Sequence, residues 1–197
     1  MESQYVNSPC ILRETSAGIY TFRIVDEMLA AREIELCGLV DAELVNSLIR
    51  QLRHLQKQDA EAEVTMFINS PGGEVSSGLA LYDVMQAVSC PIRTVCLGMA
   101  ASMGALLFMA GDEREMLPHS RLMIHDPLVA RGISGSALSV KAAADDLMRV
   151  REVTGLIIAE HTGKTLEEVL AKTANDTYFE ADEAVEYGLA DRVITSV

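Results

Sequence analysis

Ser102 lies in a segment whose residue types suit a nucleophile. The segment reads Gly98-Met-Ala-Ala-Ser102-Met-Gly104, with a strand-like pattern before it and an almost wholly apolar helical pattern after it. Small residues at Ala100 and Gly104 meet the steric demand of a strand-to-helix turn that exposes a serine hydroxyl, although alanine replaces the first glycine of G-x-S-x-G. The Met103 N–H would then face a developing oxyanion. A serine at a helix start is also a common N-cap, and that interpretation stays open.

His125 ends a short apolar segment, Leu122-Met-Ile-His125, which is followed by Asp126 and a proline. A histidine at the end of a buried strand can act as a general base, taking the proton of Ser102 and returning it to a leaving group. A structural role for such a histidine is the alternative. The remaining histidines lie in a charged helix, a polar turn and a helix end, at positions 54, 119 and 161.

Two polar turns complete the set of candidate residues. The first, Asn69-Ser-Pro-Gly-Gly73, follows a predicted strand. Its glycines permit positive φ and expose backbone N–H groups, which can hold an oxyanion. The second places Asp176 just before Tyr178 and Phe179. A plain strand-to-helix turn is the alternative for the first segment, and an Asx turn for the second.

Strand-like and helix-like patterns alternate along the chain, which predicts an α/β layered fold. The amphipathic pattern after Asp41 predicts a helix with that residue as N-cap. The predicted strands are Glu33–Cys37 (ended by Gly38), Val64–Ile68 (ended by residues 69–73), Arg93–Leu97 and Leu122–His125. The predicted helices are Asp41–Gln56, Ser77–Val88, Ser102–Ala110, about Ser136–His161, one capped by Thr165, and Glu180–Tyr187.

The length of 197 residues fits one domain. Residues 1–20 are polar with an irregular pattern and are predicted to form a mobile N-terminal arm, which leaves residues 21–197 as a single domain. Within it, the long helix after Gly135 is stopped by Gly163, a typical helix C-terminal glycine. It belongs to a region of about residues 130–161 and is long enough to project and to pack against another subunit.

Charge and composition exclude several classes of function. The net charge of -13 makes nucleic acid an unfavourable partner. The four cysteines lack metal-ligand spacing, so they predict no metal site, and they suit a reducing compartment. No cofactor is predicted. The longest apolar stretch, Met99–Gly111, is too short to span a membrane. The first residues, Met1–Tyr5, lack the features of a secretory signal, and a cytoplasmic location is expected.

Taken together and in order, these segments closely resemble the Clp (caseinolytic) protease proteolytic subunit from about residue 20 onward. The resemblance implies a crotonase-like α/β superfold with a projecting handle helix. It also implies a cytosolic barrel of two stacked heptameric rings, fed with unfolded polypeptides by a hexameric AAA+ unfoldase that uses ATP. The matching segments are F-I-N-S-P-G-G at 67–73, L-Y-D-V-M-Q at 81–86, G-M-A-A-S-M-G-A at 98–105, L-P-H-S-R-L-M-I-H-D-P-L at 117–128, H-T-G-K-T-L-E-E at 161–168 and E-A-V-E-Y-G-L-A-D at 183–191.

The resemblance also implies a role for each candidate residue. Ser102 would be the nucleophile of a serine endopeptidase, His125 its general base and Asp176 the partner of the histidine. The backbone N–H groups of Gly73 and Met103 would form the oxyanion hole. The peptidase itself would use no metal and no nucleotide.

The chain departs from the family pattern at three places. Ala174 and Asn175 replace an acid–arginine pair that helps to couple the two rings. Two aromatics near the unfoldase docking pocket are replaced by Thr65 and Ala87, while Phe67 is kept. After His125 the family has Gln-Pro-Leu-Gly-Gly, whereas this chain has Asp-Pro-Leu-Val-Ala over residues 126–130. Because of these changes, one alternative stays open: the chain is a weakly active subunit that works only in a mixed barrel with a second subunit of this kind. A crotonase-type acyl-CoA enzyme is a further alternative, because it shares the superfold.

Overall fold

A computed structural model of the chain describes residues 10–129, 132 and 134–197. Residues 1–9 of the predicted arm lie outside the described residues. The described chain forms nine strands and seven helices. The strands are β1 Cys10–Thr15, β2 Gly18–Arg23, β3 Glu33–Val40, β4 Val64–Gly73, β5 Ile92–Ala101, β6 Glu113–Met116, β7 Arg121–Ile124, β8 Thr177–Glu180 and β9 Arg192–Val193. The helices are α1 Ile24–Ala30, α2 Ala42–Gln58, α3 Val75–Ala87, α4 Met103–Met109, α5 Ala137–Thr162, α6 Leu166–Thr173 and α7 Ala181–Tyr187.

A seven-stranded sheet forms the centre of the molecule. Strands β3, β4, β5, β6 and β9 lie side by side in that order. Strand β7 pairs with the C-terminal end of β5, at residues 99–101. Every pair is parallel except β7–β8. Helices cover this sheet and bury its apolar side chains, as a parallel sheet requires. The predicted α/β layered fold is confirmed. Fully buried members of the core include Leu36, Leu52, Met66, Ile68, Leu107 and Phe108.

The strands that lead to the candidate residues are longer than predicted. Strand β4 continues to Gly73, so residues 69–73 belong to the strand instead of ending it, and β3 runs past Gly38 to Val40. The two extensions pair with each other, since Val40 lies opposite Gly73. Strand β5 likewise extends to Ala101. Pairing between neighbouring strands thus overrides the local turn preference of proline and glycine, with a register shift to accommodate it.

An antiparallel hairpin precedes the main domain, which corrects the irregular structure predicted up to residue 20. Strands β1 and β2 pair from Cys10 opposite Arg23 to Thr15 opposite Gly18. Almost every residue of the hairpin is exposed. Because neither face is buried, the sequence shows little apolar alternation, and this explains the missed hairpin. The mobility of the arm stays a prediction.

The long predicted helix is confirmed as α5, with nearly the expected bounds. Its N-cap Ser136 accepts a hydrogen bond from the Ser139 N–H, and Gly163 ends it in the left-handed conformation at φ 67°. A helix of 26 residues is about 39 Å long. None of residues 137–150 is buried, and the helix packs against α4 and α6 through its second half. The first half, here called the handle, projects from the domain.

Arg32 joins the start of β3 to the end of α2. Its backbone has a positive φ of 64°, which is unfavourable for a residue with a Cβ. The guanidinium donates to backbone carbonyls at the end of α2 and in the loop that leads to β4. The acceptors are the oxygens of Leu55, Asp59, Ala62 and Glu63, at 2.8–3.1 Å. These charged hydrogen bonds offset the strained backbone.

Replacing Arg32 by alanine and by glycine separates these two effects. Arg32→Ala loses the four hydrogen bonds and keeps the strain, so we expect it to lower the free energy of unfolding by about 2–4 kcal/mol. Arg32→Gly loses the same bonds but relieves the strain, and should be more stable than Arg32→Ala by about 1 kcal/mol. Urea unfolding of both variants measures the difference. A glycine variant less stable than the alanine variant would contradict this explanation.

Candidate active site

Ser102 lies at the junction where β5 ends and α4 begins. Its backbone has φ 54° and ψ −121°, far from the conformation of an ordinary N-cap. The side chain makes no capping hydrogen bond, so the N-cap interpretation of this serine is wrong. The Ser102 N–H donates to the Met123 carbonyl of β7 at 2.8 Å. The hydroxyl is therefore free of any capping role and is presented by a strained strand-to-helix turn.

The chain around this turn leaves no room for larger residues. A Cβ on Gly72 would lie 2.6 Å from the Ala101 carbonyl oxygen and 2.8 Å from the Ser102 Cβ. A Cβ on Gly104 would lie 3.2 Å from the Ser70 backbone oxygen. The need for a small residue at 104 follows from the sequence pattern, whereas the need for glycine at 72 arises from contact between two distant segments.

His125 follows the last residue of β7 and contacts both other candidate side chains. Its Nε2 lies 2.7 Å from the Ser102 Oγ, and its Nδ1 lies 3.1 Å from the Asp176 Oδ1. The imidazole is 14 % exposed and the carboxylate 61 % exposed. The structure thus brings together three residues that are 23 and 51 positions apart along the chain.

Strand pairing explains why Asp176 reaches His125. Strands β7 and β8 are antiparallel, and their last pair is Ile124 opposite Thr177. His125 and Asp176 are the next residues on each side. The carboxylate bonds to the imidazole, and the described part of the chain shows no Asx-turn hydrogen bond from it. Strand β8 was not predicted, because four residues between a polar turn and a helix leave too short a pattern.

The two predicted oxyanion donors occupy different kinds of backbone. Met103 is the first residue of α4, and a first helical N–H has no acceptor within its own helix. Gly73 ends β4 with φ 156° and packs against the Val40 backbone. Its neighbour Gly72 is the residue that lies against Ser102 and Met103, since a Cβ there would be 3.1 Å from the Met103 nitrogen. The role of Gly73 stays a prediction.

Other nucleophilic and basic groups in the core are occupied or unreactive. Burial raises the pKa of the Cys96 thiol to about 11, which keeps it protonated at neutral pH. Burial and the nearby Arg114 lower the pKa of His161, whose Nε2 lies 2.9 Å from the Tyr82 hydroxyl. His161 is therefore a structural histidine. Among the described residues, no group of three or more His, Cys, Asp or Glu side chains could hold a metal ion.

No helix in the described ranges is both long enough and apolar enough to cross a membrane.

Gly72→Ala tests the tight contact beneath Ser102. The new methyl group would collide with the Ala101 carbonyl and add strain at φ 92°, so we expect any activity that depends on Ser102 to fall at least 100-fold. Gly163→Ala is the matched control, since Gly163 also has a positive φ but nothing within 4 Å of its Cβ position. The control should lose about 1 kcal/mol of stability and no activity. Equal activity of the two variants would contradict the proposed contact.

A known protein family matches the chain. The model of the family described as Clp protease matches residues 16–197, which is nearly the whole chain. The match covers the strand-to-helix turn of Ser102, the end of β7 and the turn before β8. The Clp family consists of peptidases, which are hydrolases. The chain belongs to the Clp protease family.

Proposed function

We propose that this chain is the proteolytic subunit of an ATP-dependent Clp protease and that it cleaves peptide bonds as a serine endopeptidase. The domain of residues 21–197 would carry the whole catalytic site, and residues 1–20 would form the arm. The observation that carries this proposal is the continuous contact from the Ser102 Oγ through the His125 imidazole to the Asp176 carboxylate.

In the proposed reaction, the Ser102 Oγ attacks the carbonyl carbon of the substrate while His125 Nε2 takes the hydroxyl proton. Asp176 stabilises the imidazolium through Nδ1. The N–H groups of Gly73 and Met103 would hold the oxyanion. The C–N bond then breaks, and the imidazolium gives its proton to the leaving amine. Water, deprotonated by His125, hydrolyses the acyl-enzyme and restores the serine. No metal and no cofactor is needed for these steps.

Members of the Clp family generally form oligomeric barrels with unfoldase partners. For this chain we propose heptameric rings that stack in pairs in the cytoplasm and receive polypeptides from a hexameric AAA+ unfoldase. Large apolar side chains on the exposed part of α5 and just after His125 support such stacking, because a lone subunit would leave them in water. They are Leu128, Val129, Leu138, Val140, Met148, Val153 and Leu156.

Charged groups near Thr65 favour a second candidate, a subunit that works in a mixed barrel. Arg93 donates to the Thr65 hydroxyl at 3.3 Å and pairs with the buried Glu115 at 2.6 Å. Glu115, only 3 % exposed, also accepts from Arg192, which pairs with Glu113. A buried carboxylate held by two arginines makes this part of the sheet polar. An apolar anchor of the unfoldase would bind only weakly to this polar part of the sheet. In a mixed barrel, a second kind of subunit would then bind the unfoldase.

The crotonase-type alternative has little support. Such an enzyme would use acid–base carboxylates around an acyl-CoA, whereas the residues in contact here are a serine, a histidine and one carboxylate. A fluorophosphonate probe separates the two activities, because it reacts with an activated serine.

Ser102→Ala tests the proposed nucleophile. The substitution removes one oxygen and leaves a residue of similar size, so we expect an unchanged unfolding temperature. Hydrolysis of a short fluorogenic peptide should fall by about 10⁴-fold or more. Ser47→Ala serves as control and should keep full activity, because Ser47 lies in α2 and its hydroxyl accepts a hydrogen bond from Gln51. Retention of a tenth of the activity by Ser102→Ala would disprove the assignment.

The absence of a charge pair at Ala174 and Asn175 predicts weak ring-to-ring contact. Contacts within one ring do not depend on these residues, so single rings should persist when stacked pairs separate. We expect dilution or mild salt to convert double rings into single rings with lower peptidase activity. Analytical ultracentrifugation over a concentration series, with activity measured on the same samples, tests this. A fully active monomer at micromolar concentration would contradict the assembly model.

A further inference from the structure

Asp126, the residue after His125, joins the two chain segments that carry the candidate base and its carboxylate partner. The Asp126 N–H donates to the Thr173 carbonyl at 2.7 Å, and the Thr173 hydroxyl donates to the Asp126 Oδ1 at 2.7 Å. Thr173 is the last residue of α6 and is 3 % exposed. It precedes Asp176 by three positions. Two hydrogen bonds therefore connect the segments next to both members of the His125–Asp176 pair.

Arg151 of α5 completes this network. Its Nε donates to the Asp126 Oδ2, and its Nη2 donates to the Leu170 carbonyl at 3.1 Å. The side chain of Arg151 is 25 % exposed and that of Asp126 is 32 % exposed, so water screens this ion pair less than it screens a surface pair. Leu170 lies in the last turn of α6, where a cation is favourable. One guanidinium thus binds the residue after the base and the helix that leads to Asp176.

The site needs such a connection because strand pairing stops short of it. The last pair of the β7–β8 ladder is Ile124 opposite Thr177. Beyond it, the side chain of Asp176 is 61 % exposed, and its carboxylate contacts His125 Nδ1 at 3.1 Å. A general base works only while it stays within hydrogen-bond reach of the proton that it takes. A small movement of Asp176 would separate the carboxylate from the imidazole.

We infer that Arg151, Asp126 and Thr173 are positioning residues that hold the His125 imidazole and the Asp176 carboxylate within hydrogen-bonding distance for catalysis. This inference rests on the proposed function of the Ser102 site. The ion pair depends on the aspartate at position 126, where the chain differs from the glutamine of the family pattern. None of the three residues takes part in proton transfer; they act through the two segments that they join.

The test compares Thr173→Val and Arg151→Gln with Thr154→Val in the full-length chain. Thr154 is the control, because it is a buried threonine of α5 whose hydroxyl donates to the backbone carbonyls of Val150 and Arg151. Thr154→Val therefore leaves the bonds of the Arg151 guanidinium to Asp126 and Leu170 in place. We expect Thr173→Val and Arg151→Gln to lower kcat for a fluorogenic peptide by about 10- to 100-fold, with KM changed less than twofold. The rate of Ser102 phosphonylation by a fluorophosphonate should fall in parallel. The control should match the wild type in both measurements.

Two further variants separate positioning from simple loss of structure. Arg151→Lys keeps the charge but lacks the second arm to Leu170, and should retain more activity than Arg151→Gln. The double variant Arg151→Gln with Asp126→Asn should lose less activity than the product of the two single losses, because both changes break the Arg151–Asp126 ion pair. Unfolding temperatures of all variants identify any that do not fold. If Thr173→Val does not fold, the comparison uses Arg151→Gln, whose position is partly exposed.

Wild-type kcat and wild-type phosphonylation rates in folded Arg151→Gln and Thr173→Val would overturn the inference. So would equal losses in Thr154→Val, since the effect would then not be specific to the network. Ser102→Ala, measured in the same series, shows whether the underlying proposal holds. If Ser102→Ala is inactive while Arg151→Gln is unaffected, only the positioning role fails. If Ser102→Ala is active, the proposed function fails as well.

Discussion

The strained backbone at Ser102 is the constraint on which the rest of the site depends. A residue with a Cβ held at φ 54° and ψ −121° costs about 1–3 kcal/mol. The structure offsets this cost with a hydrogen bond from the Ser102 N–H to Met123 and with the buried packing of α4. Because the accepting carbonyl belongs to β7, the same contact brings the end of β7, and with it His125, beside the serine hydroxyl.

The proposed chemistry and the proposed assembly of this chain involve different parts of the structure. The contacts from Ser102 to Asp176 are complete within one subunit. The departures from the family pattern lie elsewhere, at the exposed Ala174 and Asn175 and at Thr65. The side chains of these three residues take no part in the contacts from Ser102 to Asp176. The exception is Asp126, whose ion pair with Arg151 connects the site to the second half of α5.

The sequence allowed the parts of the structure that depend on local pattern to be predicted. The amphipathic spacing after Asp41 led to α2, and the capping serine and glycine led to the bounds of α5. Features created by pairing between distant segments could not be read in this way. Strand β8 has four residues, and its role appears only when it pairs with β7. The glycines at 72 and 73 indicate a turn when taken locally, whereas their pairing with β3 places them in a strand.

In the candidate site, too, local pattern indicates some residues, whereas others become evident only through contacts between distant segments. Ser102 stands out because it interrupts an apolar segment and His125 because it ends one, whereas the role of Asp176 follows from resemblance to a family and not from its own polar turn. The close fit of Gly72 beneath Ser102 and the Arg151–Asp126–Thr173 network had no signal in the sequence, since their members lie far apart in the chain. Only the folded structure brings them into contact.

The central claim is that His125 activates Ser102, and mass spectrometry after fluorophosphonate treatment tests it most directly. Tryptic digestion should release residues 94–114 as one peptide, because no lysine or arginine lies between Arg93 and Arg114, and Ser102 is its only serine. We predict a single phosphonyl adduct on this peptide in the wild-type chain and none in His125→Ala over the same time. An adduct on another peptide, or equal labelling of His125→Ala, would contradict the account.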